Sequence, residues 1–91
     1  MNAITAEKLE KYFKVTEAAL AKAKLHTENS EQARKILDMA SRYVADAHWF
    51  AEQKDEVNAF AALNYAHGWL DCGATLGILN AQHDSELFSV D

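Results

Sequence analysis

The chain contains no proline, and its three glycines, Gly68, Gly73 and Gly77, lie within ten residues of one another. The absence of proline excludes proline-rich linkers and polyproline recognition segments. Glycine confined to one stretch that reads as helix leaves no glycine-rich loop to cradle phosphates. Cys72 is the single cysteine, so an internal disulfide is impossible and a reducing, cytoplasmic setting is expected. No stretch approaches the roughly 20 apolar residues of a membrane span. The first eight residues lack the apolar run of a signal peptide. His26, His48, His67 and His83 are dispersed, with no His-x3-His or Cys-x2-Cys spacing, so neither a metal site nor a cofactor is expected.

What is present specifies a small helical domain. Ninety-one residues make one domain, which buries about 60–65% of its unfolded surface. A hydrophobic fraction of 49% and a charged fraction of 25% are those of a globular protein and argue against global disorder. The net charge of −5 argues against a protein that coats nucleic acid. Residues 1–26 carry net +2 and residues 27–91 net −7. That asymmetry suits antiparallel packing, two different binding faces or ordinary solvated surfaces.

Apolar periodicity predicts three helices, over about residues 6–25, 30–52 and 56–76. In the first, Leu9, Tyr12, Phe13, Thr16, Leu20 and Ala23 form the stripe, Thr5 is the expected N-cap, and Lys8, Lys11, Lys14 and Lys22 project from the other side. In the second, the stripe is Ala33, Ile36, Leu37, Ala40, Tyr43, Val44, Ala47, Phe50 and Ala51, with Asn29 and Gln32 placed as a capping box. Asp55 caps the third. Its packing face is Ala59, Ala62, Leu63, Ala66, Trp69, Leu70, Gly73, Leu76 and Gly77, and it ends at Gly77. Glycine inside a helix costs about 0.5–1 kcal/mol, so Gly73 implies close approach by a neighbouring helix. Short connections make sequential helices antiparallel neighbours. The expected architecture is all-α: a three-helix up-and-down antiparallel bundle with a left-handed twist, over residues 1–79. Residues 80–91 form a tail, either frayed or docked through Leu87, Phe88 and Val90.

The candidate functional residues lie mainly on the third helix. Asn64, His67, Asp71 and Thr75 form a polar row, and His67 and Asp71 are at i,i+4 spacing. A carboxylate beside an imidazole can orient it for proton transfer or metal binding. The alternative is a solvated face with one weak ion pair. Phe60 and Val57 flank the row, and Gly68 lies outside the core face, which suggests a partner-facing patch more than a catalytic cleft. Trp49 points away from its helix's core stripe, with Arg42 nearby, as an interface anchor or as a residue covered by the tail. The Arg42-x5-His48 spacing resembles the catalytic motif of HEPN-type ribonucleases, although the two side chains are about 120° apart on one helix.

Residues 55–77, with residues 40–50 upstream, resemble the signature of an uncharacterised archaeal family, domain of unknown function 357. The resemblance spans roughly residues 5–80, with 65–77 its most specific part. It implies a three-helix bundle and an archaeal source, and it brings no established activity and no catalytic residues. The expected function is non-enzymatic: a module that binds a protein partner or itself, on a surface of Asn64, His67, Asp71, Phe60, Gly68 and Trp49. Nucleic acid and membrane are not the expected partners. The alternative is an RNA-binding or HEPN-like ribonuclease domain using Arg42, His48 and the lysine row.

Overall fold

The computed structural model describes residues 4–88, which form three α-helices: α1 (Ala6–His26), α2 (Glu31–Glu52) and α3 (Glu56–Thr75). Each start is capped by a side-chain oxygen. Thr5 Oγ1 accepts from Lys8 N at 3.1 Å, Ser30 Oγ from Ala33 N at 3.0 Å, and Asp55 Oδ1 from Asn58 N at 3.1 Å. A cap of this kind contributes about 1 kcal/mol. The capping box expected at Asn29 does not form. Ser30 has the extended backbone of a cap, and Asn29 instead accepts from Arg34 Nη1 at 2.9 Å. Of two adjacent cap-forming residues, the one whose oxygen reaches the N3 amide takes the position.

The C-terminal ends of α2 and α3 share one solution. At α3, Ile78 N donates to Gly73 O at 2.9 Å and Gly77 N to Ala74 O at 3.1 Å, with Gly77 at φ +74°. This is a Schellman motif, and its left-handed residue is a glycine. At α2, Asp55 N donates to Phe50 O and Lys54 N to Ala51 O, but the left-handed residue is Lys54, at φ 59°. The chain therefore reverses in the three residues 53–55, which sets α2 and α3 side by side.

The core is built from small residues. Ala19, Ala23, Ala33, Ala40, Ala47, Ala59, Ala62 and Ala66 are all buried, and the largest fully buried side chains are Phe88, Leu63, Leu70 and Thr16. Alanines at facing positions let the helices approach closely. The longest seam joins α2 to α3, and α1 lies against both. The expected stripes of α1 and α2 hold, with Ala19 added and Tyr12 left on the rim. On α3 the inward face is narrower than expected. Trp69, Leu76 and Gly77 stand outside it, because two neighbouring helices cover only part of its circumference.

The segment after α3 docks. Leu79 and Ala81 are buried, and Phe88, at 1% exposure, joins them in the buried cluster that holds Leu20, Ile36 and Leu70. Asp84 organises the docking. Its Oδ2 accepts from Lys22 Nζ at 2.8 Å, and its Oδ1 accepts from the amides of Glu86 and Leu87 at 3.1 Å. Lys22, expected on a solvated row, thus ties the tail to α1. The docked segment also explains Gly73. A Cβ added there would lie 2.7 Å from Leu79 Cδ1 and 3.2 Å from Ile36 Cγ2. The closest neighbour is the chain's own return, with α2 second. Val90 lies outside the described residues.

Candidate functional site

The helix α3 runs unbroken through Gly68, so the spacing of Asn64, His67 and Asp71 holds in space. The row does not stand clear of the bundle, however. His67 and Asp71 are half-buried in the seam between α1 and α3, whereas Asn64 is exposed. His67 Nδ1 lies 3.4 Å from Thr16 Oγ1, and His67 Nε2 lies 3.7 Å from Asp71 Oδ1. The second distance is too long for a hydrogen bond. A neutral imidazole that accepts the Thr16 hydroxyl at Nδ1 carries its proton on Nε2, facing the carboxylate. Threonine, histidine and aspartate in this order outline a relay, but Thr16 is 1% exposed and closed to a substrate. The geometry matches a second role: a buried hydroxyl on α1 is given a partner on α3. Phe60 closes the same seam, meeting Tyr12 edge to face at 4.8 Å.

Arg42 and His48 are engaged separately. Arg42 Nε pairs with Asp38 Oδ2 at 3.0 Å, one turn earlier on α2. His48 Nε2 meets Glu17 Oε1 of α1 at 2.9 Å, with its ring against Phe13. The two side chains thus have different partners, on different helices. Trp49 is 57% exposed and leans on Phe50 at 5.3 Å. Leu87 and Phe88 do not cover it, since both pack in the cluster of Leu20, Ile36 and Leu70, to which Trp49 does not belong.

The outer face of α3 holds what the candidate residues did not include. Ala61, Tyr65, Trp69 and Cys72, with Asn64 and Gly68, line an open groove of ≈ 570 Å³. Tyr65 is 64% exposed and Trp69 37%. Tyr65 stacks on Tyr43 of α2 at 5.3 Å between ring centres, which fixes its ring while leaving most of it in solvent. Cys72 is exposed, and apart from its chain neighbours and the backbone of its own helix no atom lies within 4 Å of where a Cβ at Gly68 would stand. Val57, in the first turn of α3, and Leu76, its C-cap, are also exposed. Asn64 and Gly68 also line the seam beside His67, so the expected surface and this groove share an edge.

A signal for this face exists in the sequence. No Asp, Glu, Lys or Arg occurs from Val57 to Leu70, and Asp71 alone interrupts the stretch before Asp84. A surface helix ordinarily carries charge on its outward side, and one that is apolar all round expects cover on every side. Reading Trp69 as part of a single broad core face concealed that second side. Among the described residues, no group of three His, Cys, Asp or Glu side chains is placed to hold a metal ion. No helix there is long and apolar enough to cross a membrane.

Comparison with known proteins agrees with the resemblance of residues 55–77. The profile of a family described as protein of unknown function, DUF357, matches residues 11–79. The chain belongs to this family. No curated protein and no solved structure matches it.

Proposed function

We propose that this DUF357 member is a non-enzymatic interaction module, and that its docking surface is the outer face of α3. One observation carries this reading. Tyr65 and Trp69 stay exposed on a helix face with no charged side chain from Val57 to Leu70. Aromatic residues at the centre of an uncharged, concave patch are the residues that anchor interfaces. Burying such a face strands no charge, so most of the free energy of covering it is retained. The network of Thr16, His67 and Asp71 supports the same reading from the other side, because it joins α1 to α3 instead of presenting a reactive group. The separate pairing of Arg42 and His48 gives no support to an RNA-cleaving site.

The test is affinity capture with the tagged chain, counting untagged copies of the same chain among possible partners. Replacing Tyr65 and Trp69 by serine should abolish capture. Replacing His67 and Asp71 by alanine should leave it at half its level or more. Equal capture by all three proteins would overturn the reading.

A further inference from the structure

Resting on that docking reading, we infer that the occupant of the outer face of α3 is the same face of a second copy of this chain. The two helices lie antiparallel, about a two-fold axis at the level of Ala66 and His67. The face is chemically matched to its own reversal. Turning α3 end for end about that level sets Tyr65 opposite Gly68, Ala61 opposite Cys72 and Val57 opposite Leu76. A large ring meets the position without a side chain, two small residues meet each other, and two aliphatic residues meet near the ends. That is the condition for knobs to enter holes across a symmetric interface. The remaining pair, Asn64 opposite Trp69, sets an amide oxygen against an indole N–H donor.

The structure prepares both halves of the central pair. Gly68 leaves open space above the helix, and the stacking of Tyr65 on Tyr43 holds the ring that would enter it. A ring already held in place loses little freedom on binding.

Charge selects the occupant. A partner bearing charged residues at this face would bury them unpaired. The exposed sides of α1 and α2 carry the pairs Glu10–Lys14, Glu31–Lys35 and Asp38–Arg42. The outer face of α3 has none from Val57 to Leu70, so among the described helix faces it is matched better by itself than by those of α1 and α2. A helix face about 30 Å long, with its flanking side chains, presents on the order of 500 Å² per copy, which reaches the lower limit of a specific interface. Antiparallel helix dipoles also oppose each other favourably. Each copy carries net −5 away from this face, so added salt should leave association unchanged or strengthen it.

Sedimentation equilibrium from about 1 μM to about 1 mM tests the association, and disulfide trapping tests its geometry. The wild-type chain should dimerise. Gly68→Glu should weaken dimerisation at least about tenfold while retaining the helical circular-dichroism spectrum, because its side chain enters open space in the single chain. Ala61→Cys should form a disulfide-linked dimer with the native Cys72 of the second copy under mild oxidation. Wild type and the double variant Ala61→Cys, Cys72→Ser should not, since like positions would then sit about 16 Å apart. A wild-type chain that stays monomeric throughout overturns the inference, as does trapping of the double variant as readily as the single one. If the chain is monomeric but Gly68→Glu loses a different captured protein, the docking reading stands and self-pairing falls. If it is monomeric and capture is unaffected, both fall.

Discussion

Gly68 and Gly73 lie on one helix, five residues apart, and have opposite surroundings. At Gly73 an added methyl group collides with the buried Leu79 and crowds Ile36. At Gly68 it meets nothing. Replacing glycine by alanine in a helix gains about 0.5–1 kcal/mol, and overpacking a core costs about 1–3 kcal/mol. Gly73→Ala should therefore lower the unfolding free energy by about 1 kcal/mol, whereas Gly68→Ala should raise it by about 0.5–1 kcal/mol. Urea denaturation at dilute protein concentration reads both. A stabilising Gly73→Ala would show that Leu79 has room to yield and that the return of the chain over α3 is loose. Glycine clustering was visible in the sequence, and so was the need for close approach. That Gly73 faces inward and Gly68 outward was legible as well, because five residues turn a helix by about 140°; that the closest neighbour of Gly73 is the returning tail was not, because it depends on where a distant segment docks.

The elements were largely legible. Their apolar stripes, the caps Thr5 and Asp55, and the turn at Gly77 follow from local rules that act within a few residues. For the segment after α3 the sequence left two states open, frayed or docked. Leu87 and Phe88 carry no period, and the place of the segment depends on the distant partners Lys22 and Thr27. Asp84 makes that docking dependent on pH. The hydrogen bond from Lys22 holds its carboxyl below the usual range, against partial burial, with the Leu87 amide, the Lys22 charge and the Glu86 amide adding to the effect. A carboxyl whose pKa is lowered in the docked state binds protons better when undocked. Its contribution is therefore complete above the ordinary aspartate value of about 3.9 and is lost as pH falls through the lower docked value. The Phe88 ring signals in NMR should keep their docked shifts from neutral pH to about pH 5 and move toward undocked values below about pH 4. Asp84→Asn should remove that acid step. An acid transition of the same size in the variant would assign it to other groups.

At the scale of the molecule, the family-matched segment ends at residue 79, yet the core does not. The segment is tied to the end of α1 through Lys22 and Thr27, and Phe88 is buried in the core. Burying a phenylalanine contributes about 1.5–3 kcal/mol, partly offset by the order imposed on the tail. Deleting residues 80–91 should keep the helical spectrum and lower the melting temperature, by roughly 4–8 °C for each kcal/mol lost. An unchanged melting temperature would mean that the docked tail adds nothing to the bundle. The candidate site is a whole-molecule property in the same sense. The spacing of Asn64, His67 and Asp71 was legible, but α1 turns His67 and Asp71 into a seam, and only Asn64 is left in the open.

From the sequence alone come three helices, where they begin and end, and the small-residue faces along which they pack. These depend on propensity, capping and period, which are local. The tertiary arrangement alone decided how wide the covered side of α3 is. That helix is apolar around most of its circumference, so its period centres the inward face but does not set its edges. Only the positions of α1, α2 and the returning tail determine that Leu63 and Leu70 are covered while Trp69, expected on the same face, is not.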